Sequence, residues 1–136
     1  MHDAACVRCC QATRDADAVL FTRAGLEIGV AATKTFVSQV ATMYLLGLKL
    51  AAVRKTLPDD EIARLIGELK QLPHLMTELL ERVDEPVRKI ADHWKDTEFF
   101  LYLGRHVGLP VALEGALKLK EISYIPTDAY AAGEMK

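Results

Sequence analysis

Leu109-Pro110-Val111-Ala112-Leu113-Glu114-Gly115-Ala116-Leu117-Lys118-Leu119-Lys120-Glu121-Ile122-Ser123-Tyr124 is the stretch on which the fold turns. At about 100° per residue, Glu114, Lys118 and Glu121 fall within a narrow arc of one helix face. Val111 and Ile122 flank that arc on one side, and Leu113, Leu117 and Tyr124 on the other. A surface helix spreads its charges over a broad polar face; here three ionisable groups form a thin stripe on an apolar rod. Two carboxylates and an amine lining a cavity are the ingredients of proton-transfer chemistry. On spacing alone the same trio also suits a helix-stabilising ladder, with Glu114 and Lys118 four residues apart and Lys118 and Glu121 three apart.

Upstream of this helix, Phe99-Phe100-Leu101-Tyr102-Leu103 is apolar throughout, as expected of a strand in a parallel sheet covered on both faces. Gly104-Arg105-His106-Val107-Gly108 is the strand-to-helix loop, and Leu109-Pro110 opens the helix. Ligands collect at the carboxyl ends of strands in doubly wound sheets, and the stripe begins one turn beyond such an end. His106 lies in the loop and is left without a role. Further upstream, Ala18-Val19-Leu20-Phe21 has the pattern of a short buried strand. A turn with Gly25 and Gly29 follows, then a helix from about Thr33 to Arg54. Pro58-Asp59-Asp60-Glu61 is a helix start, with proline and acids in the first turn. Between Ile62 and Trp94, Leu65, Leu69, Leu72, Leu75, Leu79, Val83, Val87 and Ile90 follow a helical stripe. Pro73 and Pro86 begin new helices within it or kink one. His74 and His93 are ordinary helix residues in this reading.

The 136 residues provide one modest domain or parts of two. The net charge of −2 and the scattered Lys and Arg give no electrostatic reason to expect nucleic acid. Met1 to Ala5 lack the apolar core of a signal peptide. Val37 to Val53 is interrupted by Gln39 and Lys49 and has helical periodicity, so a buried helix is expected there, with no membrane span and a cytoplasmic location. Cys6, Cys9 and Cys10, with His2, hint at a metal site. No second turn supplies the other pair of zinc ligands, and an odd cysteine count argues against a disulfide framework, so no metal is expected.

Two blocks carry a family resemblance. Glu114 to Tyr124 and then Ala129-Tyr130-Ala131-Ala132-Gly133-Glu134-Met135-Lys136 form one. Asp17-Ala18-Val19-Leu20-Phe21-Thr22-Arg23-Ala24-Gly25-Leu26-Glu27-Ile28-Gly29-Val30-Ala31-Ala32-Thr33-Lys34-Thr35-Phe36 forms the other. Both, in this order and separation, resemble the sugar-isomerase (SIS) half of the glutamine–fructose-6-phosphate aminotransferases. Cys6 to Cys10 departs from the family's apolar strand, as a truncated or altered amino terminus would.

The resemblance implies an α/β fold, dominated by helix in this chain and drawn from two doubly wound parallel-sheet SIS domains. Residues 1–55 correspond to the end of the first SIS domain, 56–82 to a helical linker and 83–136 to the start of the second, so the chain has the form of an internal fragment. It implies chemistry in which fructose 6-phosphate and glutamine-derived ammonia give glucosamine 6-phosphate, with no cofactor. Glu121 takes the position of the C1–C2 proton carrier, and Lys118 that of a lysine handling protons at the neighbouring heteroatom. Glu114 takes that of an orienting carboxylate. Main-chain contacts to the sugar are implied around Val30 and Ala32, where alanine replaces the family's usual serine, and Glu121 also touches substrate. Leu26 stands where relatives have proline.

Implied partners are a glutaminase domain in the parent chain and a second copy in a parent homodimer, with self-association of the piece alone. The family's Ser/Thr-rich phosphate loop lies upstream of this chain. Its ring-opening histidine follows Lys136, so the piece alone is expected to be inactive. Two other classes fit less well: an SIS aminotransferase or deaminase without a glutaminase domain, whose sequences diverge around Lys118 to Tyr124, and a non-catalytic phosphosugar-binding module, which needs no Glu/Lys/Glu stripe.

Overall fold

The computed structural model describes residues 11–135, so His2 and the three cysteines lie outside the described residues. The elements in chain order are α1 (Gln11–Asp15), α2 (Lys34–Arg54), α3 (Asp59–Leu69), α4 (Leu72–Trp94), β1 (Phe100–Gly104), α5 (Gly108–Ser123) and β2 (Thr127–Ala131). A short 3-10 turn, Ala132–Glu134, follows β2. The chain is a helix-rich α/β protein with a small parallel sheet. It divides into two compact units, Met1–Pro73 and His74–Lys136.

In the first unit, α2 and α3 pack as a helical hairpin. Their turn is closed by Lys55, which sits in the left-handed region at φ 52°. Its N–H and that of Thr56 donate to the carbonyls of Ala52 and Ala51, at 3.3 and 3.0 Å. A glycine is usual at such a position, because a Cβ there costs about 1 kcal/mol. Pro58 precedes α3 in extended backbone, and Asp59, Asp60 and Glu61 fill the first turn, where acids complement the helix dipole. Arg64 holds the next turn together, pairing with Glu61 at 2.6 Å and with Glu68. Ala41, Leu45, Ile66, Leu69, Lys70 and Leu72 line an open, mostly apolar groove of about 290 Å³ between the two helices.

Two expectations for this unit need correction. Ala18 to Phe21 is not a strand but irregular backbone, with Leu20 and Phe21 exposed. A strand exists by its ladder, and no partner strand lies beside this run among the described residues. The helix predicted to be buried forms as α2, yet none of its residues is buried within this chain. Its apolar residues lie on more than one face, and α3 is the main element packed against it among the described residues of this unit. By length and composition alone α2 is long and apolar enough to cross a membrane.

α4 begins at Leu72, with Pro73 in its first turn, enters the second unit at His74 and runs through Pro86 without ending. Pro86 has no N–H to offer the carbonyl of Arg82, four residues back. Ion pairs Asp84–Arg88 at 3.0 Å and Glu85–Lys89 at 2.7 Å bridge the same turn. Its predicted apolar stripe is present but uncovered, with Leu75, Leu79, Val87 and Ile90 all exposed.

The core of this unit is the β1–α5–β2 crossover. β1 and β2 are parallel, with Phe100 opposite Thr127 and Gly104 opposite Ala131, and α5 packs on both strands. Small residues let the helix approach the sheet. Ala112 and Ala116 are buried, and the ring of Tyr102 lies 3.0 Å from where a Cβ of Gly115 would stand. Gly104 ends β1 under the first turn of α5, so that any Cβ there would meet the carbonyl oxygen of Gly108 and come within 2.5 Å of Leu109 Cα. β2 was not anticipated from the sequence. Thr127 anchors it as the most completely buried side chain, its hydroxyl donating to the Ile125 carbonyl at 2.9 Å.

Candidate active site

The helix α5 places its charged stripe on the side away from the sheet. Ala112 and Ala116 fall roughly opposite Glu114, Lys118 and Glu121 at about 100° per residue. The flanking Val111, Ile122, Leu113, Leu117 and Tyr124 are all exposed in this chain. The three charged side chains are less exposed than these apolar neighbours, at 24% for Glu114, 20% for Lys118 and 25% for Glu121. Among them Lys118 is central. Its Nζ lies 2.7 Å from Glu121 Oε2 and 3.3 Å from Glu114 Oε1. The Lys118 ammonium is held above its ordinary pKa, first by the hydrogen bond it donates to Glu121 and then by Glu114, against partial desolvation. It therefore stays protonated at neutral pH, its N–H groups shared between Glu121 and Glu114.

The carboxyl end of α5 is fixed by its own side chains. The Ser123 hydroxyl donates to the Leu119 carbonyl at 2.7 Å and accepts from the Ile125 N–H at 3.2 Å. Tyr124 closes the helix in the left-handed region at φ 60°, with its N–H on the Lys120 carbonyl at 3.1 Å. At the other end of α5, His106 is also left-handed, at φ 50°, in the loop after β1.

No family model matches the chain. Among characterised proteins, a glutamine–fructose-6-phosphate aminotransferase of Mycolicibacterium smegmatis is 54% identical over 126 residues, 93% of this chain and 20% of that protein. One from the archaeon Methanosarcina mazei is 48% identical over 91% of this chain and 20% of its own length. Among solved structures, the C-terminal domain of glucosamine-fructose-6-phosphate aminotransferase from Francisella tularensis superposes with a TM-score of 0.86 at 41% identity, covering 90% of this chain and 34% of that one. By sequence and by fold, the chain is homologous to one segment of the glutamine–fructose-6-phosphate aminotransferases. It spans about one fifth of the length of the curated relatives it matches.

The residues singled out from sequence fall into two groups. Glu114, Lys118 and Glu121 are brought together on α5 in the second unit. Val30 and Ala32 lie in the first unit, in the irregular stretch before α2, with Val30 86% exposed. His74 pairs with Glu78 at 3.4 Å and His93 meets Trp94 edge-on, so both have ordinary helix-surface contacts.

Glu27 has a structural role that its place in the sequence does not announce. The Glu27 carboxylate accepts the Thr33 N–H at 3.1 Å, the Thr33 hydroxyl at 2.8 Å and the Thr35 N–H at 3.2 Å, in front of the first turn of α2. The Lys34 ammonium reaches back in the other direction to the Leu26 carbonyl. The hydroxyls of Thr35 and Thr33, then the Thr33 N–H, hold the Glu27 carboxyl at about 2, down from 4.5. A carboxyl depressed on folding stabilises fully above its unfolded value, and that stabilisation is lost as pH falls through the folded one. The turn should therefore loosen between about pH 4.5 and 2. Amide exchange at Thr33 and Thr35 across this range is the check. Their protection, the exchange rate relative to that of an unstructured amide at the same pH, should fall on acidification in the wild-type chain but show no such step in Glu27→Gln; identical protection profiles in both would contradict the assignment.

Proposed function

We propose that this chain forms part of the isomerase region of a glutamine–fructose-6-phosphate aminotransferase, which turns fructose 6-phosphate and glutamine-derived ammonia into glucosamine 6-phosphate. The observation that carries the proposal is Lys118 held between Glu114 and Glu121 on the outward face of α5, inside the stretch matched by the relatives. Moving a proton from C1 to C2 of a ketose derivative needs one base that can reach both carbons and a neighbouring acid to steady the charge that develops on the adjacent heteroatom. Glu121 is the base that takes the C1 proton and returns it at C2. Lys118, kept protonated by its two neighbours, donates to the heteroatom at C2. Glu114 holds Lys118 in place when Glu121 takes up the proton. While Glu121 holds the proton, the substrate carries the negative charge beside Lys118; as Glu121 protonates C2, the C1 carbonyl forms and the C1 hydroxyl proton ends on the heteroatom at C2.

In this reading residues 1–55 belong to a first SIS domain, 56–82 to a linker and 83–136 to a second, with the backbone around Val30 and Ala32 contacting the sugar. The exposed apolar faces of α2 and α4 are packing faces for the rest of such domains in a cytoplasmic enzyme; that the solved C-terminal domain covers 90% of this chain and extends well beyond it supports the packing part of this reading. A glutaminase domain and a homodimer complete the parent enzyme.

The test is an exchange. This chain replaces the matching segment of the 54%-identical relative, and glucosamine 6-phosphate formation is followed, with the isolated 136-residue chain titrated calorimetrically against fructose 6-phosphate. The exchanged enzyme should turn over. The isolated chain should show no saturable micromolar binding, because the donors that hold a sugar's phosphate in such sites lie on another segment. A folded but inert exchange enzyme, or tight binding by the chain alone, would overturn the proposal.

A further inference from the structure

Residues 25 to 32 have no ladder or helix of their own, and Gly25 and Gly29 adopt left-handed backbone at φ 76° and 125°. Such a stretch loses much conformational freedom when it is ordered. It is nevertheless tied at one side by two crossing contacts. Glu27 reaches forward to Thr33 and Thr35, and Lys34 reaches back to the Leu26 carbonyl. Thr33, which precedes the helix, makes no side-chain cap bond to its own helix; its hydroxyl donates to Glu27 instead. The five residues between Glu27 and Thr33 are thus drawn into a closed loop with Val30 at its tip.

We infer that Glu27 is a positioning residue: it staples the Gly25–Ala32 turn to the start of α2 and so holds the main chain at Val30 and Ala32 ready for the sugar. This rests on the reading of that turn as a sugar contact. Glu27 does not touch the reacting atoms; it removes the need to order the turn on binding, which is how preorganisation raises affinity. Three acceptor contacts on one ionised carboxylate make a strong tie. Glutamine keeps one acceptor oxygen but places an NH2 against one of the N–H groups, and alanine removes both acceptors.

The test uses Glu27→Ala and Glu27→Gln in the exchanged enzyme, with hydrogen exchange on the 136-residue chain itself. In Glu27→Ala, KM for fructose 6-phosphate should rise about tenfold while kcat stays within about twofold, since only binding common to ground and transition states is lost. Glu27→Gln should fall between Glu27→Ala and wild type. The Thr33 and Thr35 amides should exchange faster in both variants. A residue that merely stabilised the fold would lower the active fraction, reducing apparent kcat at unchanged KM, and that result would overturn the inference. Glu121→Gln serves as the companion measurement. If it abolishes turnover while KM in both Glu27 variants is unchanged, only the positioning role fails. If Glu121→Gln turns over normally, the proton-transfer reading itself fails, whatever Glu27 does.

Discussion

Glu121→Gln should lower the turnover of the exchanged enzyme by about a thousandfold. The amide matches the carboxylate in size and can still accept a hydrogen bond from Lys118, whose Nζ lies 2.7 Å from Glu121 Oε2 in the native chain. What it cannot do is accept and return a proton. KM should therefore change little while kcat collapses, the pattern of an interaction used only in the transition state. Steady-state kinetics at saturating fructose 6-phosphate reads this directly. Turnover within a few-fold of wild type would remove Glu121 from the chemistry and leave the stripe as the helix-stabilising ladder that its spacing also permits.

Gly104→Ala should be the most damaging single methyl in the chain. Its Cβ would meet backbone rather than a side chain: the Gly108 carbonyl and, at 2.5 Å, Leu109 Cα. Backbone at the start of α5 cannot swing aside without lifting the helix from the strands that Ala112 and Ala116 cover. The cost should be about 3 kcal/mol, in the range of severe overpacking. Chemical denaturation of the 136-residue chain, with amide exchange along β1 and β2 to localise the effect, is the measurement. An unchanged midpoint with native protection of both strands would show that the helix approaches the sheet less closely than described. Gly115→Ala should be milder, because the ring of Tyr102 it would push can turn.

The second unit was largely legible because its signals are local. Phe99 to Leu103 is an uninterrupted apolar run, and the strand forms one residue later, at Phe100–Gly104. The stripe of Glu114, Lys118 and Glu121 follows from helical period alone, and the structure adds the distances. β2 was not legible. Thr127-Asp128-Ala129-Tyr130-Ala131 is a mixture of small, polar and aromatic residues, and it becomes a strand by pairing with a segment 27 positions earlier. Non-local pairing leaves little trace in a short window. The reverse error occurred at Ala18 to Phe21, where strand-like composition has no neighbouring strand to pair with among the described residues. Glu27 was hidden for a related reason. Capping signatures place the side chain within three residues of its target, whereas Glu27 acts over six and eight. For α2, the 3.6-residue period gave the helix but not its surroundings, since burial depends on what packs against it.

The fate of one hydrogen atom tests the central claim most directly. Fructose 6-phosphate carrying deuterium at the C1 position that is abstracted should, in the exchanged enzyme with Glu121 intact, yield glucosamine 6-phosphate with part of that deuterium at C2. A single base that removes and returns the proton retains some of the label before solvent exchanges it. With Glu121→Gln, single-turnover conditions should give neither transfer to C2 nor washout of C1 deuterium into water. Deuterium arriving at C2 in the Glu121→Gln enzyme at the wild-type rate would contradict the account.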